Sequence, residues 1–277
     1  MNLAIVTAID GRYNMTKAFL TACDRIKYET GVQTYAAITP EDRCLELIPW
    51  HDVRYIEYKN KPVGEKFNAA VKMLRDTDFT HMMILGSDDL VSTPFIEHAL
   101  TLDEFDISGI DGLWFWGLNP RRAGFKSFGF FPVNKVYAGP GKIISRRLVE
   151  AVDYEVWPPA CNYGMDAKMM VKIRDAVRRN KLSLKHHRYS LSETGGFLID
   201  IKYDHHISSL SPITRRDYDT LLKKHPSKDE EQIAKIAYRR KDPYEILPQH
   251  LPWEECDYLF NLLDETEKAH EESRKRS

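Results

Sequence analysis

An α/β fold with a mixed, mostly parallel sheet flanked by helices is what this chain predicts, and three observations predict it. The first hundred residues alternate short apolar runs with amphipathic stretches at helical spacing. One of those runs, Thr80-His81-Met82-Met83-Ile84-Leu85-Gly86-Ser87-Asp88-Asp89, stops at two adjacent carboxylates. A strand that ends this way delivers its acids to the carboxyl edge of a sheet, where open α/β folds bind ligands. Finally, 277 residues with 43% hydrophobic content can bury a substantial core.

The elements follow in order. Leu3 to Ile9 is an apolar strand ending at Asp10-Gly11-Arg12. Asn14 to Glu29 places Phe19, Cys23 and Ile26 on one helical face, with Gly31 closing the helix. Gln33 to Ile38 is a second strand, stopped by Thr39-Pro40-Glu41-Asp42, and Val53 to Tyr58 is a third. A helix from Val63 to Arg75 turns Phe67, Val71 and Leu74 inward, and the strand His81 to Leu85 carries the acids. The next helix starts near Thr93-Pro94, where Pro is tolerated in the first turn. From Gly109 to Gly141 the chain is dense in Gly, Trp, Phe and Pro, which predicts short strands and loops over a pocket. Helices resume over Ser145 to Val152 and Asp166 to Arg179, the latter with a stripe of Met170, Ile173 and Val177.

The sequence reading divides the chain into a first unit, residues 1–210, and a helical appendage, residues 211–277. In the appendage Pro243, Pro248 and Pro252 cut the helices short, and the charged stretch from Glu265 to Ser277 is expected to fray. No internal repeat is visible.

Charged residues make up 29% and the formal net charge is -1, a balance that forces neither a nucleic-acid nor a membrane partner. Cys23, Cys44, Cys161 and Cys256 are dispersed without metal-ligand spacing and read as reduced thiols. No segment has the apolar length of a membrane span or the make-up of a signal peptide, so a cytoplasmic location is expected.

Two neighbouring carboxylates repel unless a cation, donor groups or water offset them, and a hard dication such as Mg²⁺ or Mn²⁺ suits Asp88 and Asp89. A solvated Asp-Asp turn is the plainer use of the same residues. Four further islands accompany them. Lys66 and Asn68 lie on the helix before the acidic strand. Gly139 and Gly141 make a tight turn in Gly139-Pro140-Gly141-Lys142-Ile143-Ile144-Ser145-Arg146, Asp166 opens a helix in Asn162-Tyr163-Gly164-Met165-Asp166, and paired imidazoles stand in Tyr203-Asp204-His205-His206. Each has a structural use as well: Asp166 as a plain N-cap, Lys66 and Asn68 on an exposed helix face, and the glycines in a backbone turn.

In this order the motifs resemble a metal-dependent glycosyltransferase of the GT-A fold, most like the inverting group known as family 2. The resemblance covers residues 3 to about 210. It implies a nucleotide-sugar donor, a UDP-sugar first, with Mn²⁺ or Mg²⁺ held by Asp88, Asp89 and a late His. Adjacent strand residues face opposite sides, so one imidazole at most reaches the site, and His206 is preferred. The resemblance also implies donor contacts from Asp10, Lys66, Asn68, Ser87, Gly139 and Gly141, and makes Asp166 the general base. Trp114 and Trp116 would form a platform for a sugar or acceptor, with a buried aromatic sandwich as the alternative. The chain departs from the family at Gly86, where an acid is common, at Pro40-Glu41-Asp42, where Asp-Asp-Gly is common, and at Met165, where Glu is common.

The acceptor is left open among a glycan, a protein and a hydroxylated DNA base. The last follows only if the basic face from Lys172 to Arg188 is functional rather than simply solvated. A nucleotidyltransferase is the competing enzyme on this fold, and a non-catalytic sugar- or partner-binding protein the competing class.

Overall fold

The first strand, β1 (Leu3–Ile9), is buried on both faces, which is why its sequence is an apolar run rather than an alternation. The computed structural model describes residues 1–117, 127–132, 139–202, 218–224, 226, 229, 232–233 and 239–276. Helix α1 (Tyr13–Thr30) follows and ends at Gly31. Strand β2 (Gln33–Ile38) pairs parallel with β1, and β3 (Val53–Glu57) parallel with β2. Helix α2 (Val63–Lys72) leads to β4 (His81–Ile84), which lies parallel on the other side of β1. These strands and helices fall within a residue or a few of the sequence expectation.

The chain then builds a second layer of strands. Strand β5 (Asp89–Val91) belongs to the second sheet and begins at the second acid, and α3 (Thr93–Thr101) follows. Strands β6 (Ile107–Ile110), β7 (Gly112–Gly117) and β8 (Ser127–Pro132) fill the aromatic stretch, as expected of that composition. Strand β9 (Lys142–Ser145) returns antiparallel between β4 and β6, then come α4 (Arg146–Ala151), α5 (Met165–Arg179) and β10 (His186–Tyr189). Strand β11 (Leu198–Lys202) and the short β12 (Arg239–Arg240) complete the described strands.

Among the described residues these strands form two sheets. The larger has seven strands in the order β10-β6-β9-β4-β1-β2-β3, all parallel except β9. The smaller has the order β12-β8-β7-β11-β5. The architecture is the mixed α/β class, with a mostly parallel sheet flanked by helices, that the sequence predicts.

The period of two along β1 sends Ile5 and Ile9 to one face and Ala4 and Val6 to the other. The first face packs against α1, α3 and the second sheet, and the opposite face against α2 and α5. Beyond 210, α6 (Tyr218–Lys224), α7 (Pro243–Ile246) and α8 (Trp253–Arg276) follow. Cys256, Leu259, Leu262 and Leu263 of α8 are buried in the same core as α1, and Arg25 grips Glu255 through two hydrogen bonds of 2.6 and 3.3 Å. Helix α8 continues to Arg276, across the charged stretch that the sequence reading leaves frayed. No described helix is long and apolar enough to cross a membrane.

Candidate active site

The parallel strands β1, β2 and β4 release their chains on one edge, and buried charge collects there. Beneath the ends of β1 and β2, Lys66 is 1% exposed. Its ammonium donates to the Ile9 carbonyl and, at 2.5 Å, to the Thr39 hydroxyl. Thr39 in turn donates to Asp10 Oδ1 at 2.6 Å, and Asn60 donates to Asp10 Oδ2 at 2.5 Å. Asp42 accepts from the backbone N–H groups of Gly11 and Cys44 at 2.5 and 2.8 Å. Burial pulls the Lys66 pKa down to about 8, against the opposing pull of the Asp10 and Asp42 carboxylates. Lys66 therefore ties strand ends together from below instead of standing on an exposed helix face.

The second cluster lies where β4 hands over to β5. Asp88, Asp89 and Asp200 are all buried and offer carboxylate oxygens within 4.8 Å of one another. Asp200 arrives because β11 pairs antiparallel with β5, in a register that sets it opposite Asp89. Asp89 Oδ2 accepts from the Gly86 N–H at 2.5 Å. Burial, then the negative charges of Asp200 and Asp88, raise the Asp89 pKa well above the usual carboxylate range. Gly86 lets the two carboxylates close over the turn: a Cβ there would lie 2.6 Å from Asp88 Oδ1 and 3.1 Å from Asp89 Oδ2, and the acids would have to shift.

Two cations enter the same cluster. Arg12 takes a left-handed backbone, φ 53°, which a non-glycine residue rarely adopts. Its guanidinium donates to Ser87 Oγ at 2.8 Å and pairs with Asp88 at 2.8 Å. The Lys202 ammonium lies 2.6 Å from Asp200 and 3.6 Å from Asp88. Burial disfavours this ammonium, but the carboxylates of Asp200, Asp88 and Asp89 outweigh that and raise its pKa above the usual lysine value. The donor set of three carboxylates suits a hard dication, and the cluster could bind a metal.

Asp166 sits in the first turn of α5. Its Oδ1 accepts from Lys142 at 2.8 Å, and its Oδ2 lies 2.7 Å from where a Cβ on residue 139 would stand. Gly139 thus lets the carboxylate close on the turn that feeds β9. The Lys142 side chain is fully buried, whereas that of Asp166 is 47% exposed. Lys142 is paired with Ile84 across β9 and β4, and Gly141 N–H bonds to the Ile84 carbonyl at 2.9 Å. Gly86–Asp89 follows Ile84 and the Gly139–Gly141 turn precedes Lys142, so the acids and Asp166 belong to the same edge of the sheet.

Other expected site residues are placed differently. Asn68 is not directed at a donor: its Nδ2 donates to the Trp157 carbonyl and its Oδ1 accepts from the Trp157 N–H, at 2.8 and 3.0 Å, so both ends of the amide serve the fold. Trp116 is buried in the core against Phe128 and Phe260, and Trp114 stacks on Phe128 and packs on Phe197. Both rings join an aromatic sandwich, Trp116 fully buried and Trp114 half-buried. His205 and His206 lie outside the described residues. The basic stretch supplies Lys172, Arg178 and Arg179 to a groove of about 720 Å³ along α5, together with Lys168, and there Asp175 pairs with Arg178 and Glu155 with Lys172.

Asp200 and Lys202 are site residues that sequence reasoning misses. The signal for them is an acid and a base two apart in the apolar run Leu198-Ile199-Asp200-Ile201-Lys202, which a strand must turn to a single face.

Neither protein-family models nor curated proteins give a match to the sequence. Among solved structures, the chain is similar to *S. aureus* TarS 1-349 in complex with UDP, at TM-score 0.47 and 12% identity, over 84% of this chain and 68% of that one. A second TarS 1-349 structure matches at TM-score 0.41 and 16% identity, over 64% of this chain and only 55% of that one. Glucosyl-3-phosphoglycerate synthase from *Mycobacterium tuberculosis*, in complex with Mn²⁺, UDP and phosphoglyceric acid, matches at TM-score 0.45 and 14% identity, over 82% and 80%. The inositol-1-phosphate CTP transferase of *T. maritima* matches at TM-score 0.41 and 14% identity, over 85% and 96%. At TM-scores below 0.5 these likenesses assign no activity, and the fold class stands on the strand order and register given above.

Proposed function

We propose that this protein transfers a sugar from a nucleotide-sugar donor, a UDP-sugar first, to an acceptor hydroxyl with inversion. One observation carries the reading: an acid cluster with its cations and a half-exposed carboxylate at a helix start share one edge of the sheet. The first suits a diphosphate and the second an acceptor proton.

In this reading the nucleoside lies over the ends of β1 and β2, where Asp10, Thr39, Asn60 and Asp42 are held in place. Asp88, Asp89 and Asp200 are the residues that would hold Mn²⁺ or Mg²⁺. Such an ion, when bound, offsets the charge that develops on the departing diphosphate. Arg12 adds a positive charge on the same side. Asp166 takes the proton of the attacking hydroxyl on its carboxylate as the acceptor oxygen bonds to the anomeric carbon and the bond to the diphosphate oxygen breaks. Lys142 fixes the carboxylate by one oxygen, so its orientation does not depend on the substrate. The cations along α5 favour an acceptor that carries negative charge.

Incubation with Mn²⁺, a panel of UDP-sugars and hydroxyl acceptors tests the reading. Release of UDP with a glycosylated product is expected. Pyrophosphate release from a nucleoside triphosphate would replace this reading with nucleotidyl transfer, and sugar binding without turnover would make the protein a binding module. Asp166→Asn keeps an oxygen for Lys142 but cannot take the proton. Transfer should fall about 100-fold or more while UDP affinity stays unchanged. Full activity in this variant removes Asp166 from the chemistry.

A further inference from the structure

The acid cluster already contains a cation of its own. Asp200 and Lys202 share a face of β11, and the ammonium stands 2.6 Å from one carboxylate and 3.6 Å from a second. The Lys202 side chain is 15% exposed and Asp200 7%, so little solvent reaches the pair. Mg²⁺ binds carboxylate oxygens at about 2.0–2.1 Å, and an ammonium ion-paired 2.6 Å from Asp200 Oδ1 and 3.6 Å from Asp88 Oδ2 stands in the space that such an ion needs.

We propose that Lys202 is a tethered counter-ion exchanged for the divalent metal: it fills the cluster while no metal is bound and must swing out for one to enter. The inference rests on the reading of Asp88, Asp89 and Asp200 as metal ligands, and it goes further by giving the exchange a direction. Among the described residues, Arg12 and Lys202 set two positive charges beside the three carboxyl groups, which weakens the pull on a dication. Once Lys202 leaves, the carboxylates regain that pull, and the expelled ammonium needs another anion. Lys202 is the last residue of β11, at the edge where the donor diphosphate would lie, so the diphosphate is the anion within its reach. Metal and nucleotide therefore bind with positive coupling, and Lys202 is the residue that couples them.

Titration of Mn²⁺, with the free ion read by electron paramagnetic resonance, tests this on wild type and Lys202→Met, each with and without UDP. Without nucleotide the variant is expected to bind Mn²⁺ tighter by on the order of tenfold. UDP should raise Mn²⁺ affinity by a larger factor in wild type than in the variant. A merely structural lysine would leave the affinity unchanged or lower it on removal. Equal affinities in the two proteins overturn the exchange and leave the metal site standing. Failure of both proteins to bind Mn²⁺ even with UDP overturns the metal site and the exchange with it. If Lys202→Met does not fold, the ¹⁵Nζ resonance of Lys202 in wild type gives the answer on titration with Mg²⁺. A shifted resonance at saturation supports expulsion, and an unmoved resonance while Mg²⁺ binds overturns it.

Discussion

Lys66 and Lys202 bury an ammonium beside the same sheet edge, and their surroundings push them in opposite directions. Lys66 is bonded to a carbonyl and a hydroxyl, with Asp10 and Asp42 one step further away. There burial dominates and the pKa falls to about 8. Lys202 is ion-paired with one carboxylate and feels two more, and its pKa rises although burial opposes it. Burial therefore does not decide whether an internal lysine is a cost or a support. The carboxylates within reach decide it.

The largest effect is expected from removing each lysine in turn. Lys202→Met takes one cation from beside three buried carboxyl groups, and breaking a buried pair from one side costs about 3 kcal/mol or more. Lys66→Met removes an ammonium that burial disfavours and leaves no carboxylate without its hydrogen bonds, since Asp10 keeps Thr39 and Asn60. Its cost should be about 1 kcal/mol, that of lost hydrogen bonds to Ile9 and Thr39. Urea unfolding in chelator at pH 7 measures both. Equal losses would break the comparison.

The pH dependence sharpens it. An unfolded lysine keeps its proton to about 10.5, whereas folded Lys66 gives it up near 8. Between those values the unfolded chain holds more protons, so the unfolding free energy rises with pH. The penalty of the ionised ammonium is fully present below about 8 and gone above 10.5. Lys202, shifted upward, has the reverse sign: its contribution is full below the unfolded value and is lost only as pH climbs through the higher folded one. From pH 7.5 to 10, wild type should gain stability relative to Lys66→Met. A constant difference between the two would remove Lys66 as the cause.

The first lysine was half visible in the sequence and the second was not, and the reason is chain separation. β1 and β2 are expected and observed at the same bounds, because buried parallel strands are written as local apolar runs. Lys66 stands on a helix that local periodicity also locates, but its burial depends on Ile9 and Thr39 from two other strands. The acid cluster depends on the register of β5 with β11, which joins Asp89 to Asp200. No local pattern encodes that pairing. The same holds for Asn68, which looks like a surface amide until the chain near Trp157 folds over it. In the aromatic stretch the composition gives short strands, but only the pairing of β7 with β8 and β11 shows that Trp114 and Trp116 are packed.

Asp42 offers the smallest and finest test of the contrast. Burial raises its pKa, but the N–H groups of Gly11 and Cys44 more than offset this and hold it below the usual value. Its contribution is therefore present above about 3.8 and lost as pH falls through the lower folded value. Asp42→Asn keeps an oxygen for one N–H and turns an amide group toward the other, so about 1 kcal/mol of stability should go. The same change withdraws a negative charge that supports the Lys66 ammonium, so the Lys66 pKa should move further below 8. Carbon-13 resonances of the lysine side chain, followed against pH, read that movement directly. A Lys66 pKa that stays put would mean that Asp42 does not offset the depression and that Asp10 supplies the opposing charge. A pKa that falls would place Lys66 on the same electrostatic scale as Lys202, separated from it by how many carboxylates stand near and how close.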